Sequence, residues 1–127
     1  MTTQLTARPV SINEVIDALP GPWQQRDLGT ANDCVIRVAR FEGEFPWHTH
    51  EDDELFICWD GSFRVELQEP DAAGRQPPEP GPERGPVVTL HAGELFVVPA
   101  RILHRPVAEQ TAHGLMVERP RTRQYGD

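Results

Sequence analysis

The stretch that decides the reading of this chain is Pro46–Phe56, PWHTHEDDELF. It sets two histidines one residue apart, follows them with four consecutive acids ending at Glu54, and runs on into apolar sequence. In an extended strand, side chains alternate between faces. His48, His50 and Glu54 share parity and converge on one side where the segment stays extended. Two imidazoles separated by one residue are about 7 Å apart at their Cα atoms, so one ion fits between their tips. Two imidazoles and a carboxylate form an N,N,O donor set. Such a set suits Fe, Mn, Ni, Co, Cu or Zn as divalent ions better than Ca or Mg. The plainer reading, a polar His-rich loop between strands, stays open on these residues alone.

Outside this stretch the period is that of strands. CVIRVARF (34–41), ELFICW (54–59), SFRVEL (62–67), PVVTL (86–90), ELFVVP (94–99) and GLMVE (114–118) are short runs rich in Val, Ile and Phe. Each is bounded by Gly, Pro or Asp. Asp60-Gly61 between two of them reads as a hairpin turn. Many short strands punctuated by turns predict an antiparallel sandwich or barrel. One helix is expected at 11–19, SINEVIDAL. Ser11 is its N-cap, Glu14 the capping-box partner, and Ile12, Val15, Ile16 and Leu19 its apolar face. Pro20-Gly21-Pro22 stops it.

Residues 69–86 hold six of the thirteen prolines and no large apolar residue. They read as an extended loop at a hairpin tip.

A further ligand must come from elsewhere in the chain. His104, after an apolar strand and the Pro99 turn, is the best candidate. His91 sits in a turn and reads as exposed, and His113 as a half-buried, hydrogen-bonded residue of the last strand. Cys34 and Cys58 form no metal-binding pair and read as buried thiols.

Composition narrows the function classes. At 127 residues and net charge −8 the chain reads as one domain, 1–127, without a nucleic-acid partner. Arg119, Arg121 and Arg123 read as a solvated tail, and Glu51, Asp52 and Asp53 as a solvated turn. All twelve basic residues are arginine, which excludes Schiff-base chemistry on lysine. Neither Ser11 nor Ser62 lies in a nucleophile-elbow context. No signal segment and no run of about 18 apolar residues is present, so a cytoplasmic protein without a membrane partner is expected.

Two motifs then match a known family. Gly43-x4-His48-x-His50-x3-Glu54-x6-Gly61 resembles the first motif of the cupin superfamily, and Gly93-x5-Pro99 followed by His104 resembles its second. The likeness extends to the small single-domain bacterial cupins over nearly the whole chain. It implies an all-β fold, a double-stranded β-helix or jelly-roll barrel, with one short N-terminal helix added here. It implies one divalent transition metal held by His48, His50, Glu54 and His104. It further implies a small-molecule ligand or substrate, dioxygenase- or isomerase/epimerase-like chemistry, and a homodimer. A non-catalytic binding barrel is the alternative. A sensory domain is disfavoured because no DNA-binding segment is attached.

Three departures from the pattern are visible. The gap before His48 is one residue shorter, Ala108 replaces an asparagine, and Arg101 stands where glycine is usual. A non-glycine residue at positive φ costs on the order of 1 kcal/mol. Phe56, Cys58 and Arg101 are the pocket candidates. Phe56 and Cys58 share Glu54's face, and Arg101 lies three residues before His104. Metal affinity should fall below about pH 6, because the ligands must be neutral imidazoles.

Overall fold

A computed structural model gives the fold for residues 7–71, 73–75 and 85–127. One helix, α1 (Ile12–Asp17), precedes seven strands. They are β1 (Arg26–Ala31), β2 (Cys34–Glu44), β3 (Glu54–Asp60), β4 (Ser62–Leu67), β5 (Val87–His91), β6 (Leu95–Val98) and β7 (His104–Glu118). Ser11 caps α1, its hydroxyl accepting from the Glu14 amide at 3.3 Å. The proline-rich reading of 69–86 falls largely on residues outside the described set. At its start, Asp71 closes a turn by accepting from the amides of Ala73 and Arg75.

All seven strands pair antiparallel in one bent sheet. The order is β1-β2-β7-β3-β6, with β4 on β7 and β5 on β4. The long strand β7 joins the two layers. Its first half pairs with β4 and its second half with β3, while β2 follows it along the other edge. The result is an all-β jelly roll.

This corrects the hairpin reading of Asp60-Gly61. β3 and β4 do not pair with each other, and both lie against β7. The turn carries the chain from one layer to the other. Gly61 is needed there twice over: its φ is +71°, and a Cβ would meet Ala112 Cβ at 3.0 Å. Strand β1 was also not foreseen. Its exposed edge, RDLGTA, has neither an apolar run nor clean alternation.

The core follows from strand alternation. Inward rows include Ala39 and Phe41 on β2, Phe56 and Cys58 on β3, and Phe63 and Val65 on β4. The Phe41 ring lies 4.5 Å from that of Phe63 and approaches Gly114, where a Cβ would sit 2.8 Å from it. On the outer face, α1 lays Ile16 and Leu19 over Val38 and Leu115 as a second, smaller core. Trp59 packs toward this helix, its indole donating to Asn13 Oδ1 at 2.9 Å. Cys34 is exposed, contrary to the buried reading, because it opens β2 at the tight β1–β2 turn.

Candidate metal centre

The four residues of the two motifs come together inside the barrel. His48 and His104 form a doubly hydrogen-bonded antiparallel pair, each amide 3.0 Å from the other's carbonyl, so their side chains share a face. Glu54 heads the inward row of β3. His50 is held by its carbonyl, which accepts from the Arg101 amide at 2.8 Å. The candidate ligand atoms of His48, His50, Glu54 and His104 all lie within 4.8 Å of one another, and all four residues are buried.

The hydrogen bonds fix how the rings present themselves. His48 Nδ1 donates to the Pro46 carbonyl at 2.8 Å and His104 Nδ1 to the Ile102 carbonyl at 2.7 Å. A carbonyl only accepts, so both Nδ1 atoms carry a proton, and the Nε2 atoms of the neutral rings offer lone pairs. His104 Nε2 lies 3.2 Å from Glu54 Oε1. Two acceptors therefore face each other unless a cation or a proton lies between them. His50 Nε2 is 3.5 Å from the same oxygen, and neither ring nitrogen of His50 makes a hydrogen bond among the described residues.

Electrostatics agree with this arrangement. Burial, reinforced by charge on His104, pushes His48 down to about 4. Burial alone would raise Glu54, but the imidazoles set against it, His104 foremost, outweigh burial and hold its carboxyl well below the usual carboxylate range. At neutral pH the site thus presents a neutral imidazole beside a carboxylate. Three imidazoles and one carboxylate fit a divalent transition metal.

A cavity of about 30 Å³ adjoins the cluster. Its wall is largely apolar, including Phe41, Phe45, Phe56 and Met116, and His48, Glu54, Gln25 and Gln124 also line it. Of the pocket candidates, Phe56 lines this cavity. Cys58 sits deeper in the core, its thiol directed at the carbonyls of Asp60 and Gly61. Arg101 is exposed in the turn before His104. It occupies the left-handed region at φ 66°, so the turn keeps its shape without glycine. His91 is exposed and bonded to Glu94, and His113 is bonded to Asp60.

The acidic run and the arginine tail are largely exposed, as read, and they also pair with each other. Asp52 takes two hydrogen bonds from Arg121, and Asp53 Oδ1 accepts from the Ala100 amide. Behind Glu54 stands a group that sequence reasoning missed. Glu118 lies beside Glu54 and accepts from Arg37 at 2.8 Å, its Oε2 having no hydrogen-bond partner among the described residues. Burial and the neighbouring Glu54 push Glu118 up to about 9, so one proton is held between the two carboxyls. The inward parity shared by Arg37, Ala39 and Phe41 on β2 was the available signal.

The cupin domain family matches residues 35–118. The uncharacterized protein YdbB of Bacillus subtilis is 28% identical over 92 residues, which are 72% of this chain and 68% of YdbB. The crystal structure of a cupin-2 domain containing protein from Shewanella frigidimarina has a TM-score of 0.71 at 26% identity, over 87% of this chain and 93% of that one. Hydroquinone 1,2-dioxygenase PnpCD, in complex with Cd2+ and 4-hydroxybenzonitrile, has a TM-score of 0.70 at 24% identity, over 100% of this chain and 84% of that chain. This last likeness is one of fold. The family match spans well over half of the sequence and both of its motifs, and the chain belongs to the cupin family.

Proposed function

We propose that this cupin holds one divalent transition metal through His48, His50, Glu54 and His104 and acts on a small organic molecule in the adjoining cavity. The observation that carries the reading is the contact of His104 Nε2 with Glu54 Oε1 at 3.2 Å, with His104 Nδ1 already committed to a carbonyl. A cation held by these residues would relieve the opposition of the two acceptors, which without it needs a proton between them.

When bound, the metal supplies Lewis acidity, redox capacity and open coordination positions. The chain's own residues orient the ligand and exclude water. Phe41, Phe45, Phe56 and Met116 form the dry wall, and the Pro46 and Ile102 carbonyls keep His48 and His104 in one tautomer. Apart from His48 and Glu54, no lining residue among the described residues is titratable. Isomerase or epimerase chemistry needs a separate proton-transfer group. Its lack among the lining residues favours dioxygenase-like chemistry. The hydroquinone 1,2-dioxygenases share the fold, and PnpCD was seen with a metal and a phenol.

Oxygen consumption by the Fe(II)-loaded protein with small phenols and thiols tests this. Substrate-dependent uptake supports it. Full metal occupancy without uptake favours the second reading, a non-catalytic binding barrel, which the missing proton-transfer group also suits.

The rest of the reading follows as proposals. Residues 1–127 form one domain, since strands from both motifs share one core cluster. The protein is cytoplasmic, in keeping with two free cysteines. Among the described residues, no helix is long and apolar enough to cross a membrane. It is a homodimer, its contact built on the outer row Ile36–Val117–Leu55–Val97, which crosses four strands and leaves Ile36 and Val97 exposed. Sedimentation of Val97→Glu, expected to be monomeric, tests that contact.

A further inference from the structure

Most side chains lining the cavity beside the metal ligands are fully buried. The half-exposed ones are Trp23, Gln25 and Gln124, so they form its mouth. One hydrogen bond spans two residues of that mouth: Gln124 Nε2 donates to the Trp23 carbonyl at 2.6 Å. Behind it the free volume is about 30 Å³. That is room for roughly two waters, and not for a ring. A ring-sized ligand fits beside the metal ligands only when side chains lining this space move.

The two sides of the mouth differ in how firmly they are held. Trp23 is fixed at several points. Its amide donates to the Arg40 carbonyl at 2.8 Å and its indole to the Glu42 carbonyl at 3.0 Å, and its ring packs on Phe41 and Phe45. The backbone of residues 119–127 is also anchored, on both sides of Gln124. Arg37 donates to the carbonyls of Pro120 and Thr122. Further along, the Asp127 amide donates to the Thr49 carbonyl, and Asp127 Oδ2 accepts from the Glu51 amide. Between these anchors the Gln124 side chain has a single bond. Its neighbour Tyr125 is exposed and stacks on Phe45 with centroids 4.8 Å apart. The element able to swing without unfolding the segment is therefore the Gln124 side chain.

We propose that Gln124 is a specificity-determining gate. In its closed rotamer it passes only ligands of a few atoms to the metal face, and ring-sized neutral ligands enter when the bond to Trp23 breaks. An uncharged ligand is favoured because the wall beyond the gate offers no charged partner other than the metal ligands themselves. The proposal rests on the metal-site reading given above.

The test uses the full chain loaded with Co(II), whose visible band reports binding, and two probes, azide and imidazole. Stopped-flow association is compared in wild type, Gln124→Ala and Gln124→Met, with thermal unfolding as the check on folding. Losing one neutral hydrogen bond predicts an imidazole association rate about tenfold higher in Gln124→Ala. Azide association should stay unchanged. Gln124→Met, which keeps the bulk and loses the bond, should fall between them. Equal changes for both probes, or none for imidazole, would overturn the gate.

If wild type acquires no cobalt band, the metal reading fails and the gate is judged separately. Trp23 fluorescence is then followed in a Trp47→Phe, Trp59→Phe background. Acrylamide quenching must rise in Gln124→Ala, and no rise rejects the gate.

Discussion

Two polar clusters stand side by side in this barrel and differ in how their central groups are partnered. Around Arg37, the guanidinium donates to Asp27, to Glu118 and to the carbonyls of Thr122 and Pro120, at 2.8 to 3.0 Å. Around Glu54, three imidazoles and one carboxylate are buried with His104 Nε2 set against an oxygen, and the ring nitrogens of His50 have no hydrogen-bond partner among the described residues. Burying polar groups is costly unless they are paired. The Arg37 guanidinium is therefore structural, tying β1, β7 and the segment 119–127 together, although Glu118 Oε2 and Thr122 Oγ1 beside it have no hydrogen-bond partner among the described residues. The Glu54 cluster is organised for a ligand the polypeptide does not contain. Glu118 links them, bonded to Arg37 and lying beside Glu54.

The largest effect should come from breaking the Arg37 cluster. Arg37→Ala strands Glu118 and two carbonyls in the interior. Removing one partner of a buried pair costs about 3–5 kcal/mol, read from urea unfolding. A loss below 1 kcal/mol would mean that water replaces the guanidinium and that the contrast between the clusters is false.

The second effect concerns protons, in metal-free protein. Two unfolded carboxyls near 4.5 lose both protons at neutral pH, whereas the folded Glu54–Glu118 pair keeps one until about 9. The native state then binds more protons, so this contribution falls as pH rises from about 4.5 to 9. His48 acts in the opposite sense. Its folded pKa of about 4 lies below the ordinary 6.5, so the unfolded chain takes up the proton first and stability falls as pH drops from 6.5 to about 4. Wild type should show a plateau between these limits and decline on either side. Glu118→Gln keeps the acceptor for Arg37 and supplies an N–H toward Glu54. It should abolish the alkaline decline and uncover the His48 slope, about 3 kcal/mol in all. An alkaline decline that survives in Glu118→Gln would contradict the shared proton.

The motif segment and the segment 119–127 were not equally legible in the sequence. His48, His50 and Glu54 could be read because strand parity and the two-motif spacing are local rules. The barrel strands followed from their Val, Ile and Phe runs. The first half of β7 was hidden by Pro106, which argues against a strand and is accommodated here with its carbonyl accepting from the Phe45 amide. The tail was hidden because its anchors are long-range and polar. Arg37 lies far away in sequence, and Asp52 sits in what looked like a solvated turn. No apolar period announces such a docking, and the Gln124 gate depends on it.

The smallest effect should come from the surface. Asp52→Ala removes the pairing with Arg121, which is solvent-exposed and screened. Its unfolding midpoint should match wild type within error and be insensitive to salt. A clear loss would show that the tail is held from outside and not by Arg37.

The central claim is that the Glu54 cluster needs a cation. Elemental analysis of tag-free protein purified without added metal, with His50→Ala and His104→Ala alongside, tests it most directly. The account predicts about one equivalent of a divalent transition metal in wild type and its loss in both variants. A wild type without metal that also takes up none on incubation would contradict it. So would the same metal content in all three proteins.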